Sequence, residues 1–262
     1  MAAVGERAVS YDARGLAEPN AVAPETAVVD GQTAELDAAD LSIRQINLEL
    51  RRLVYGLGVT DVVVRNPGSK HSLGVGILTR CRIRFEGSLG YFACGLLDGP
   101  EVHVTGRVGW AACENMMSGV VVIEGNAGSQ TGAAMRGGDL VVKGRAGARS
   151  GIDQKGGTII TLGSVGSMTG FMMQRGRQVI CGDAGPGLGD SMYDGIIYVA
   201  GKVKALGIDC VPGEWTDADT EFIDRKFRIY DLGTPPSFDK SVCGKKLYNY
   251  DSLEPAERKL VL

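Results

Sequence analysis

Six cysteines, two histidines and a group of aspartates are the residues of this 262-residue chain whose types could do chemistry. Cys81, Cys94, Cys113, Cys181, Cys210 and Cys243 would suit a metal or an iron–sulfur cluster, but no two stand at C-x-x-C spacing. Only His71 and His103 could complete such a set, so no metal ligand is assigned. Cys94 and Cys113 lie nineteen residues apart, a spacing that in a repeating fold would stack them within reach of a disulfide. Replacement of a tightly packed glycine is the preferred reading for both. Asp183, Asp190 and Asp194 fall within one repeat and could be the paired carboxylates of a sugar-cleaving enzyme. At sharp corners, however, aspartates ordinarily accept hydrogen bonds from nearby backbone amides, and that use is expected here. Glycine-rich loops cradle phosphates where they open onto a helix. These loops lead into strands, so no catalytic and no cofactor-binding residue is assigned to the chain.

The elements that carry these residues are set by glycine. Thirty-nine of 262 residues are glycine, about twice the usual share. Gly68, Gly87, Gly106, Gly125, Gly144, Gly163, Gly182 and Gly201 follow one another at nineteen-residue steps. A second series begins at Gly90 and runs through Gly109, Gly128, Gly147, Gly166 and Gly185. A third holds Gly132, Gly151, Gly170 and Gly189, with Cys94 and Cys113 in its earlier register, and a fourth runs from Gly119 to Gly195. Phase-locked series of this kind mark a repeat protein.

Other positions keep the period. Leu97, Met116, Met135, Gln154, Met173 and Met192 form one column, and apolar pairs such as Val102/Val104, Val121/Ile123 and Leu140/Val142 form another two. Residues spaced by two point to one face of a strand. The residue between them is often apolar as well (Val122, Val141, Ile160, Val179), as happens when a strand is covered on both faces. The fold class is therefore all-β: a right-handed parallel β-helix of about seven 19-residue turns, each stacked about 4.8 Å from the next. Helices are excluded from the repeats because each glycine would cost about 1 kcal/mol relative to alanine.

Four regions follow. Residues 1–35 lack periodicity and are expected to be a flexible or partner-bound arm. Residues 36–67 hold a capping helix over Leu41–Leu57, with Ser42 and Gln45 at capping-box spacing, then a lead-in strand. The β-helix occupies 68–210. Residues 211–262 form an irregular C-terminal extension with a short helix at 253–260; its aromatics predict that the part beyond Pro236 mainly contacts a neighbouring chain.

The 28 basic and 31 acidic side chains nearly balance, which argues against nucleic acid and an anionic membrane surface. No run of eighteen apolar residues occurs, and the N-terminal stretch lacks a signal-peptide core. A cytoplasmic protein is expected.

The repeated G-x-x-G-x-x-x-G unit, clean at 125–132, 144–151, 163–170 and 182–189, resembles the GXGXG domain that closes the large subunit of glutamate synthase. The stretches Glu114–Gly119, Cys181–Gly185, Leu188–Tyr193 and Ile208–Cys210, with Ser42–Asn47 and Lys246–Asn249, are most similar to stand-alone GXGXG subunits of N-methylglutamate synthase (methylamine–glutamate N-methyltransferase). The resemblance covers roughly residues 37–212. It implies a non-catalytic scaffold within a hetero-oligomer whose class II glutamine amidotransferase-like subunit hydrolyses a glutamine-type substrate. It also implies an FMN-binding glutamate-synthase-like partner, which in glutamate synthases carries an iron–sulfur cluster, and no cofactor in this chain itself. The alternative is the corresponding GXGXG subunit of a formylmethanofuran dehydrogenase or formyltransferase/hydrolase complex. The chain is not expected to be the glutaminase: that chemistry uses an N-terminal cysteine with its own amine as base, whereas Met1 is followed by Ala2 and the first cysteine is Cys81.

Overall fold

The computed structural model describes residues 23–245 and shows a parallel β-solenoid of about eight turns. Strand β1 (Val28–Asp30) runs antiparallel to β2 (Thr33–Asp37), which opens the stack. Parallel to β2 follow β3 (Asp61–Arg65), β4 (Arg82–Glu86), β5 (Glu101–Val104), β6 (Val120–Ile123) and β7 (Asp139–Val142). The stack continues through β8 (Lys155–Thr161) and β9 (Arg175–Ile180), then skips β10 (Ala184–Leu188) and resumes at β11 (Ile196–Val199). Nineteen residues separate paired positions in the parallel stack from β4 to β11, as in Ile83↔Val102↔Val121↔Leu140↔Ile159, save at the bulged start of β8, where Lys155 pairs with Arg175.

A second side of each turn is marked by the parallel bridges Val108↔Ala127↔Ala146↔Val165↔Ala184. It ends where β10 pairs with β12 (Val203–Leu206). The third side is held by single amides: Gly132 N donates to Ala112 O, Gly151 N to Thr131 O and Gly170 N to Ser150 O, at 2.8–2.9 Å. The inward columns fill the interior, and Leu97, Met116, Met135, Gln154, Met173 and Met192 are all fully buried.

The glycines serve two geometries rather than one. Gly170 and its series have left-handed backbone (φ +72° at Gly170), which glycine adopts without the Cβ penalty. Gly166 and its series do not. There an added Cβ would lie 2.5 Å from Ala148 N of the preceding turn, so close approach of backbones is the requirement. Cys94 and Cys113, in the register of the left-handed series, hold φ of +57° and +60° themselves.

Both flanks depart from expectation. Residues 28–35, read as part of a loose arm, form β1, a turn and the start of β2, where Ala34 and Leu36 alternate inward and continue the core. Helix α1 (Ile43–Arg51), followed by a π-helical turn at Arg52–Gly56, lies between β2 and β3 rather than ahead of the stack. Its capping box is present: Gln45 N donates to Ser42 Oγ and Ser42 N to Gln45 Oε1. Ile46, Leu50 and Leu53 face the core. Glu49 is fully buried and accepts hydrogen bonds from Arg52 and from the amides of Glu25 and Ala27.

The C-terminal extension, read as irregular, is regular structure over most of its described part, up to residue 245. It consists of β13 (Cys210–Pro212), helix α2 (Asp217–Ile229) and β14 (Asp239–Cys243). Strand β14 inserts antiparallel between β11 and β13, so this part beyond Pro236 completes the chain's own sheet. The helix expected at 253–260 lies outside the described residues. Among the described residues no helix is long and apolar enough to cross a membrane.

Candidate functional site

The outer face of the long sheet divides at its middle. One outward column reads Val63, Arg84, His103, Val122, Val141, Ile160, Val179 and Tyr198. Its later half is apolar because α2 lies on it. Ile223 and Phe227 pack with Val141, Ile160, Val179 and Tyr198 into a second core outside the solenoid. The blurred alternation at these strands is thus explained by cover on both faces. Polar locks hold the helix down. Asp219 accepts from Tyr198 Oη at 2.6 Å and from Lys240 Nζ at 2.8 Å. Asp139 accepts from Lys226 Nζ at 2.6 Å and also from the Tyr230 hydroxyl.

The earlier half of the same face is uncovered and forms a groove of about 800 Å³ beside the end of α2. Val63, Val120 and Val122 line it together with Arg84 and His103, and Ile229 closes one side. Four side chains on successive turns form a chain across it. Arg84 donates to His103 Nδ1, His103 Nε2 lies 2.6 Å from Glu124 Oε1, and Lys143 Nζ lies 3.0 Å from the same oxygen. A guanidinium has no acceptor, so Nδ1 must accept and Nε2 must carry the hydrogen donated to Glu124. Partial burial works to raise the Glu124 carboxyl, but the bonds from His103 and Lys143 outweigh it and hold it below its ordinary value.

This geometry limits the chemistry. Both imidazole nitrogens are engaged, so His103 has no free lone pair to act as a base, and among the described residues no serine, threonine or cysteine lines the groove. Asp61, Glu101 and Asp231 also line the groove, so most of its polar side chains are charged. Sequence reading did not single out this set. Its signal was present, since Arg84 and His103 stand nineteen residues apart, but it becomes legible only once the outward column is known.

The residues considered for chemistry are dispersed. Cys81, Cys94, Cys113 and Cys210 are buried and Cys181 and Cys243 partly so, all as free thiols. Burial pushes Cys94 up to about 12 and Cys81, Cys181 and Cys210 up to about 11, which disfavours thiolate. Among the described residues, no three His, Cys, Asp or Glu come together as a metal site. Asp183 accepts from Lys202 N at 2.8 Å and Asp194 from Gly195 N at 2.7 Å, while Asp190 accepts from Ser191 Oγ and Ile208 N. The aspartates therefore brace corners. His71 accepts from Tyr91 N and stacks on its ring, which in turn stacks on Trp110. The glycine amides are used between turns rather than turned outward to cradle a phosphate: Gly125 N donates to Gly106 O and Gly144 N to Gly125 O.

Comparison with protein-family models and with curated proteins finds no match for the chain.

Proposed function

We propose that this chain is a non-catalytic scaffold subunit of a glutamate-synthase-type amidotransferase–flavoenzyme. The complex is read as N-methylglutamate synthase, forming N-methylglutamate from glutamate and methylamine. The observation that carries the proposal is the internal use of the chain's reactive groups. Corner aspartates bind their own amides, glycine amides bind the neighbouring turn, both nitrogens of His103 are engaged and the thiols are buried wholly or in part. Large apolar side chains nonetheless stay exposed on the early turns, with Phe92 and Leu96 each 52% accessible, and such surface fits a subunit interface. Phe92 and Leu96 also hold left-handed backbone (φ +57° and +55°), where a glycine would cost less. The similarity of the G-x-x-G-x-x-x-G units to the GXGXG domain supplies the identity of the complex. On this reading the glutaminase chemistry and the FMN belong to partner chains, and the assembly is cytoplasmic.

The test is purification of the tagged full chain from its native source, with mass spectrometry and a visible spectrum. Co-elution with a class II glutaminase-like chain and a yellow FMN-containing chain is expected. Recovery of the chain alone, or glutaminase turnover by it in isolation, would overturn the proposal.

A further inference from the structure

Strands β13 and β14 place two cysteines directly opposite each other: Cys210 pairs with Cys243 in an antiparallel register. The hydrogen bonds on either side show which kind of pair this is. Gly244 N donates to Asp209 O at 2.7 Å and Gly213 N to Lys240 O at 2.8 Å. Hydrogen-bonded and non-hydrogen-bonded pairs alternate along an antiparallel ladder. With 209/244 and 213/240 bonded, 210/243 is a non-bonded pair, where Cα atoms approach to about 4.5 Å and side chains are closest. That separation lies at the near end of the range a disulfide spans, about 4.4–6.8 Å. Both thiols are free, and both lie against the last rung of the methionine column. Cys243 Sγ is 3.1 Å from Met192 O, and Cys210 Sγ lies with Met192 Sδ around Gly189.

We infer that Cys210 and Cys243 form a reversible disulfide site, oxidised by thiol–disulfide exchange with a low-molecular-weight disulfide. Cys243 is partly exposed and Cys210 is buried, which assigns their order. The Cys243 thiolate attacks one sulfur of the oxidant, giving a mixed disulfide and releasing one thiolate of the small molecule. Cys210 then loses its proton to solvent and attacks the Cys243 sulfur, releasing the second small thiol. Two protein thiols are oxidised, and one small disulfide is reduced to two thiols. Burial pushes Cys210 up to about 11, so its attack is the slower of the two steps. The stacked pair Cys94 and Cys113 is buried throughout and has no comparable route for the oxidant.

The consequence reaches the outer face. The segment between the two cysteines contains α2, and Ile229, Tyr230 and Asp231 at its end line one side of the groove. Oxidation converts that segment into a covalently closed loop tied to the last turn of the solenoid. Among the described residues the reduced form holds it through β13, β14 and the side-chain contacts of α2.

The experiment uses the full chain, incubated with oxidised glutathione or with dithiothreitol, quenched with N-ethylmaleimide and mapped by mass spectrometry without reduction. A peptide joining Cys210 to Cys243, lost on reduction, is the expected result, with the other four cysteines alkylated after unfolding. A stable glutathione adduct on Cys243, a disulfide elsewhere, or no reaction would each overturn the inference. Oxidised chain is further expected to unfold at higher urea than reduced chain, and Cys243→Ser to remove that difference. Should Cys243→Ser fail to fold, the wild-type peptide map decides alone.

Discussion

Tyr198 donates its phenolic hydrogen to Asp219 across 2.6 Å, joining the outer face of β11 to the first turn of α2. Burial alone would raise the Asp219 carboxyl. Lys240, Tyr198 and both the hydroxyl and the amide of Thr216 bond its charged form and hold it well below the ordinary aspartate range. A depressed carboxyl stabilises the fold above the unfolded value of about 3.9 and loses that contribution as pH falls through that value toward the folded one. The outer core is therefore expected to release α2 in acid before the solenoid unfolds. Asp219→Ala should cost on the order of 3 kcal/mol at neutral pH, because the largely buried Lys240 is left unpaired. It should also flatten the acid limb of stability. Urea titrations from about pH 7 down to about pH 2 read both effects, and an unchanged acid limb would count against the assignment.

Close approach and left-handed backbone make separable demands on glycine. Gly31 has φ +58° with nothing within 4 Å of the place a Cβ would take, whereas the same atom at Gly166 would meet Ala148 N at 2.5 Å. Gly31→Asn should be nearly neutral, since asparagine tolerates that backbone. Gly166→Asn should cost about 1–3 kcal/mol or more by forcing two turns apart. Thermal melts of the two variants are expected to differ clearly in midpoint.

The methionine column contains one polar member. Gln154 is fully buried, gives its Nε2 hydrogens to Gly156 O and Gly157 O, and leaves Oε1 without a partner. Gln154→Met removes the orphan acceptor and keeps the volume, so stability should move by no more than about 1 kcal/mol. Met173→Ala, in the same column, should cost about 2–5 kcal/mol by opening a cavity. Denaturant midpoints compare the two, and a larger loss at Gln154 would show that its carbonyl contacts matter more.

Truncation distinguishes the parts of the C-terminal region. Ending the chain after Ser237 removes β14 and the Lys240–Asp219 pair, leaving β11 with an open edge. Lower melting and aggregation through that edge are expected. Ending it after Lys245 retains every described contact and should leave the melting temperature close to that of the full chain. Equal melting of the two truncations would remove β14 from the fold.

Exposed charges of the groove should matter little to stability. Glu124 and Lys143 are each about one-third accessible, so Glu124→Gln should change stability by less than about 1 kcal/mol. Any larger effect of this variant on recovery of partner chains would place the groove at an interface.

The repeat itself was legible in the residues. Period, inward columns and glycine series follow from local geometry, because every turn meets the same neighbours and the same spacing must recur. The capping box of Ser42 and Gln45 was legible for the same reason, being a contact across three residues. What tertiary structure decided is where non-repeating segments dock. Strand β2 enters the sheet with only Ala34 and Leu36 facing inward. Strand β14 reaches β11 across forty residues or more, and Lys226 finds Asp139 across 87. Such pairings carry no local period, since a partner distant in sequence is selected by the shape and charge of a surface that exists only after the turns have stacked. The chain of Arg84, His103, Glu124 and Lys143 has the same origin: four turns must first lie side by side before four ordinary polar residues become neighbours.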